Sequence, residues 1–194
     1  MGLTQICNAW YQDMETSIIE LIDSINWNIF ENAVLNMVKK AVEKYREQFN
    51  NRPDEKVYQI AINTDIQAAT SDISFEVLVH ATKTLQQQIA FFRARGLYEA
   101  AEKLQHLNYS VDPGGFEHVN FASVQHPELS ILSGLYSDFQ MLLDAEVEKH
   151  LLAVKQEIAL QKLLRYLPAE EYIWIGTSSP YDHYDHVSKI KMTV

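Results

Sequence analysis

The sequence predicts an α+β fold: one helix-rich domain over residues 1–194, with a small sheet packed against amphipathic helices. Three observations lead there. The run ENAVLNMVKKAVEKYREQF sets Ala33, Val34, Met37, Val38, Ala41, Val42, Tyr45 and Phe49 at three- and four-residue intervals, a single apolar stripe on a helix. Two short runs rich in β-formers, VYQIAIN from Val57 and EYIWIGTSS with its centre at Tyr172 to Thr177, read as buried strands. Finally, no Gly-, Ser- or Pro-rich linker divides the chain and no long unit repeats.

The other elements follow in order. Trp10, Met14, Ile18, Leu21, Ile22 and Ile25 give an N-terminal helical segment within 1–30, interrupted at INWN before the main helix. Pro53, in the turn NNRPDEK, cannot continue that helix and disfavours helical geometry at Arg52. After the first strand, QAATSDISFEVLV alternates at Ile73 and Phe75, which predicts a strand to about Phe75. Leu85, Ile89 and Phe92, then Leu97, Ala100, Ala101 and Leu104, form two helical pieces around Gly96, a helical hairpin. NYSVDPGGFEHVNF reads as two short strands around a turn at Pro113, Gly114 and Gly115. From Leu129 to Leu167 the pattern is helical, as two helices or one bent one, until Pro168 stops it. Residues 178–194 read as a polar C-terminal tail.

Composition excludes several function classes. At 47% apolar the chain can bury a core without staples, and the single Cys7 offers no internal disulfide. No run approaches the length of a membrane span, and the N-terminus lacks the basic-then-apolar order of a secretory signal, so a soluble, cytoplasmic protein is expected. MGLTQI has the glycine of a myristoylation signal but Ile6 where Ser or Thr is wanted. Net charge is −10, unevenly placed. No Lys or Arg precedes Lys39, while Asp13, Glu15, Glu20, Asp23 and Glu31 fill that segment. None lies between Lys103 and Lys149, where Asp112, Glu117, Glu128, Asp138, Asp144, Glu146 and Glu148 occur. Such a chain repels nucleic-acid phosphates and anionic lipid, and these seven carboxylates are the expected binding surface for a cationic protein.

Chemistry-bearing patterns are few. YDHYDH places Asp182, His183, Asp185 and His186 within six positions, the candidate metal ligands and the basis of an alternative reading as a metal-binding protein or metal-dependent enzyme. Neither a strand nor a helix gathers all four on one side, so the motif needs a curled backbone or distant ligands; its plainer reading is a solvated turn. Glu146 and His150 share a helix face, half of a carboxylate–histidine pattern without the rest of it. His118 and His126 have no acidic partner at fixed spacing. Cys7 lacks a nearby histidine, GTSS is not a G-x-S-x-G elbow, and DPGG is no phosphate loop. No catalytic residue and no cofactor is therefore assigned, and an enzyme is not the expected reading.

The stretch from Glu31 to Asp65 resembles the opening of an uncharacterised bacterial domain family. There, an amphipathic helix leads through a polar turn into a strand F/Y-x-x-A-L/I-x-T-D, matched by Tyr58, Ala61, Ile62, Thr64 and Asp65. LQKLLRYLPAEEYIWIGTSS is similar to that family's last helix and strand; the two stretches cover about a third of the chain, and the middle departs from the pattern. The resemblance implies no activity and no catalytic residue. It implies kinship with stand-alone domains found near bacterial polymorphic toxins, where an immunity protein blocks a toxin by binding it. The expected function is thus an immunity-type inhibitor acting on a cationic toxin through its acidic surface. Self-association through the long C-terminal helices is the alternative partnership.

Overall fold

The apolar stripe of the main helix has a counterpart far along the chain. In α2 (Trp27–Phe49) the buried side chains Phe30, Val34, Val38, Ala41 and Tyr45 step by four, four, three and four residues. In α6 (Tyr136–Leu160) Leu143, Val147, Leu151, Val154 and Ile158 repeat the same steps. Each series lies along one side of its helix, and both stripes belong to a single apolar core. The computed structural model describes residues 16–107, 113–160, 162–178 and 185–192. A helix over 16–24, α1, adds Ile18 and Ile22 to this core, and the Trp27 indole N–H donates to Ile22 O (3.1 Å) where the chain breaks between α1 and α2. Trp10 and Met14 lie outside the described residues.

What the stripes cover is a mixed five-stranded sheet ordered β3-β2-β1-β4-β5. β1 (Val57–Asp65) runs antiparallel to β2 (Thr70–Val77) and parallel to β4 (Ala169–Ser178), with β3 (His118–Gln125) and β5 (Asp185–Lys191) antiparallel at the edges. Cross-strand register aligns Ile60 with Phe75 and Ile175, so one face is continuous Ile and Phe and meets the helices. Strand alternation puts Gln59, Ala61, Asn63 and Asp65 on the opposite face, beside Glu76, Ser74, Asp72 and Thr70 of β2. That face receives Phe116 and Val187 over Ala61.

The residues that carry the family resemblance hold this strand in place. Tyr58 is the extra residue of a bulge, and its hydroxyl accepts from the Trp174 indole. Ala61 and Ile62 are buried on opposite faces, and Thr64 shares a hydrogen bond with Ser71 (2.7 Å). Asp65 Oδ1 accepts the Ala68 N–H (2.9 Å), turning the chain into β2.

Of the two strands predicted around the Pro-Gly-Gly turn, the first falls on 108–112, outside the described residues; Pro113–Gly115 is a 3-10 turn, and the second strand is β3, which continues to Gln125 because β2 offers it a pairing edge. The tail expected to be polar contains β5, which pairs Ile190 with Ile173 and Lys189 with Trp174. The helical stretch after Leu129 resolves into a short α5 (Ser130–Ser133), α6 with non-helical geometry at Phe139, and a 3-10 turn at Leu163–Tyr166.

The hairpin forms as the sequence predicts. α3 (Leu78–Ala94) and α4 (Tyr98–Leu107) pack on each other, and α3 meets the sheet as it leaves β2. Gly96 sits at φ +74°, its N–H donates to Arg93 O (3.1 Å), and the Leu97 N–H reaches Phe92 O (2.9 Å). These two bonds satisfy carbonyls that the end of α3 would leave open, and they need a left-handed residue at that point. A Cβ on Gly96 would meet nothing within 4 Å, so an alanine there suffers only from its backbone angle. Gly96→Ala is expected to lower stability by about 1 kcal/mol with the circular-dichroism spectrum unchanged, read from the midpoint of urea unfolding.

Candidate functional site

Three clusters of polar or exposed groups stand out against the core. The first lies on the polar sheet face. Glu76 is fully buried, and its Oε1 accepts the Val77 N–H at 2.9 Å and the Glu117 N–H at 3.4 Å. His80 Nδ1 approaches both carboxylate oxygens, at 2.9 and 3.0 Å, while its Nε2 faces Glu117 Oε2 at 3.5 Å. Burial raises the Glu76 pKa, and the contacts from His80 and the two backbone N–H groups oppose that rise. Further along the face, burial also raises the Asp72 pKa against hydrogen bonds from Asn63 (2.8 Å) and Ser74. Arranged this way, Glu76 ties β2, the first turn of α3 and the loop before β3 together. No nucleophile accompanies the pair in these contacts, so its geometry describes a fastening.

The second cluster imitates a hydrolase. His126 Nε2 lies 2.8 Å from Ser71 Oγ, and His126 Nδ1 lies 3.4 Å from Glu128 Oε1. The order Ser–His–Glu matches the roles of a nucleophile, a base and its orienting acid. Access decides against it, because His126 and Ser71 are both 0% exposed and a substrate carbonyl could not reach the hydroxyl. Ser71 Oγ also contacts Thr64 Oγ1 (2.7 Å), so three buried polar side chains, Thr64, Ser71 and His126, satisfy one another in a row. Burial lowers the His126 pKa more than Glu128 raises it, which keeps the ring neutral.

The third is the α3–α4 hairpin. Thr84, Gln87, Gln88, Phe91 and Phe92 recur along one side of α3, and Ala100, Lys103 and Leu104 along one side of α4. Between them runs an open groove of about 640 Å³, lined mainly by apolar surface. Ala81, Ala101 and Leu104 are buried, yet none belongs to the main core, so the hairpin stands apart from it. Its large apolar side chains are left in water: Val79 is 61% exposed, Phe91 51%, Leu97 49% and Tyr98 63%.

The seven carboxylates expected to form one surface are placed differently. Asp112 lies outside the described residues. Glu117 stands by His80 on the polar sheet face, Glu128 by the buried His126, and Asp138 is exposed. Asp144 accepts from the Tyr136 hydroxyl (2.9 Å), and Glu148 accepts from the buried Thr177 hydroxyl (2.6 Å). Glu146 bonds Lys149 (2.7 Å) and His150 (3.2 Å). Burial opposes ionisation of Glu146, but the hydrogen bonds and charge of Lys149, with the contact from His150, prevail and hold its pKa below the ordinary range. His150 Nδ1 also meets Glu31 of α2 at 2.6 Å, and the ring stacks on Trp27 with centroids 4.3 Å apart. The half-pattern of Glu146 and His150 is thus a clamp between α2 and α6.

Of YDHYDH, Asp182 and His183 lie outside the described residues, and Asp185 and His186 begin β5. Among the described residues, no group of three or more His, Cys, Asp or Glu is placed to hold a metal ion, and no helix is long and apolar enough to cross a membrane. Comparisons with family models, with curated proteins and with solved structures find no match to this chain. The hairpin groove is half legible in the sequence: periodicity and Gly96 disclose the two helices and their break, and say nothing of whether their apolar sides are covered. Glu76 was missed, although a charged residue inside the otherwise apolar FEVLV is itself a signal of a buried polar contact.

The depressed His126 pKa has a definite consequence. Between its folded value and about 6.5 the unfolded chain binds more protons at this site, so His126 makes stability rise with pH and fall as pH drops below about 6.5. Its contribution to the slope is at most about 1.4 kcal/mol per pH unit. Urea unfolding of wild type and His126→Gln from pH 7.5 to 5.0 is expected to show the difference between them shrinking as pH falls.

Proposed function

We propose that this chain is a protein-binding domain of the immunity type, which neutralises a bacterial toxin by direct contact, and that the α3–α4 hairpin makes that contact. The observation that carries the reading is the open groove along the hairpin. An unfilled apolar channel costs free energy in water, at roughly 25 cal/mol per Å² of surface that a partner could cover. A fold with a complete core elsewhere gains nothing internal from displaying it. The resemblance to stand-alone immunity domains supports a toxin as the partner. The internal bonding of Asp144, Glu146 and Glu148 is what moves the proposed contact away from the acidic segment.

Isothermal titration against the toxin-like protein encoded beside this one tests the reading. A 1:1 association is expected, weakened about tenfold or more by Phe91→Asp and little changed by Asp138→Asn. Absence of heat with any such neighbour removes the proposal. The reverse ranking of the two variants returns the contact to the acidic segment.

A further inference from the structure

From the groove and its rim we infer that the occupant is an amphipathic α-helix of the partner protein, its apolar stripe flanked by carboxylates. The inference rests on the protein-binding reading above and names the chemistry of the bound element.

Shape sets the kind of element. Two packed helices present a channel whose walls repeat at helical intervals, Thr84, Gln88 and Phe92 on one side, Ala100 and Leu104 on the other. A third helix lays its own ridge of side chains into such a channel at i, i+3, i+4 and i+7 spacing. A β-strand, with side chains alternating every second residue, matches no such repeat. A helix also satisfies its own backbone hydrogen bonds, which matters in a groove whose walls offer mostly apolar atoms.

Charge sets its flanks. The chain is at −10, yet the hairpin reverses that sign: Lys83, Arg93, Arg95 and Lys103 outnumber Glu99 and Glu102. Elsewhere some cations pair with carboxylates, as Lys56 does with Glu170 (2.6 Å) and Lys149 with Glu146 (2.7 Å), and others such as Lys44 and Lys189 lie over aromatic rings. Among the described residues no carboxylate pairs with any of the hairpin's four. The Arg93 guanidinium donates to the neutral Gln105 (3.2 Å), and the Arg95 guanidinium lies over the Phe91 ring, 3.7 Å from its centroid. Lys103 lines the groove itself, and a lysine can lay its stem on apolar surface while its ammonium stays in water. Carboxylates on either side of an apolar stripe would meet unpaired cations while the stripe fills the groove. A second copy of the chain would bring the same cations against them, unless it docked by its acidic side.

The test uses the intact protein and three labelled helical peptides of one length: a Leu/Phe stripe flanked by Glu, the same stripe flanked by Lys, and a Glu-rich scramble without the stripe. Fluorescence anisotropy is expected to give binding for the first, at least about tenfold tighter than for the other two, and weakening as salt rises. Phe91→Asp should abolish it, and Arg95→Glu combined with Lys103→Glu should reverse the preference between Glu and Lys flanks. All three positions are exposed, so folding is not at stake. Equal binding of the Glu- and Lys-flanked peptides overturns the charge argument. No peptide binding by a protein that still binds its genomic neighbour in titration overturns the helix and leaves the protein-binding reading standing; failure of both removes that reading too. A concentration-dependent dimer in sedimentation, lost in Phe91→Asp, assigns the groove to a second copy instead.

Discussion

The structure depends on a single sheet face being shared by two helices. Ile60, Ile62, Ile73, Phe75, Ile173 and Ile175 form one apolar surface, and α2 and α6 cover it with stripes of identical spacing. Neither helix can bury its stripe without the sheet, and the sheet cannot stay flat to water on that side. Each fully buried Ile, Leu or Phe contributes about 1.5–3 kcal/mol, so several of them exceed the whole net stability of an ordinary domain. The conformational entropy of ordering the chain absorbs most of that gain. Contacts around this layer, such as the His150 clamp between Glu31 and Glu146, then fix how the two helices lie against each other.

Because both long helices use the same face, the other face has to be solved without them. It carries small and polar residues, among them Gln59, Ser74 and Glu76, each fully buried and each therefore obliged to find a partner. Glu76 answers with two backbone N–H groups and His80, which roots α3 on the sheet. Among the described residues α3 packs mainly against α4 and less against β1 and β2. The exposed groove is thus a consequence of how the core was spent on the opposite face, and its position at the free end of a rooted hairpin is what makes it reachable.

What the sequence disclosed was whatever repeats within a short window. α2, β1, β4 and the break at Gly96 each have a local cause: a period, a β-rich run or a residue that tolerates positive φ. What it concealed was pairing across distance. β5 becomes a strand because β4 offers an edge to it, and HVSKIK alone has too little apolar weight to announce that. The carboxylates misled for the same reason. Glu148 finds Thr177, 29 residues on, and Glu31 finds His150, 119 residues on, so a charge tally along the chain counts groups that the fold has already satisfied. Helical periodicity has the converse weakness: it shows that α3 and α4 have apolar sides, and is silent on whether anything covers them.

Charge and apolar area therefore have to be weighed together when a surface is judged. An exposed ion pair with a partner contributes on the order of 1 kcal/mol or less, since water already solvates both groups. An apolar channel walled by two phenylalanines offers more, and it excludes water from the charges at its edge, which strengthens them. Unpaired carboxylates spread over a solvated surface attract a partner from a distance but do little to hold it. Cations beside an apolar groove do both, because the groove supplies the area and the desolvation while the rim supplies the selection. On that physical ground the hairpin outranks the scattered carboxylates, although they outnumber its charges.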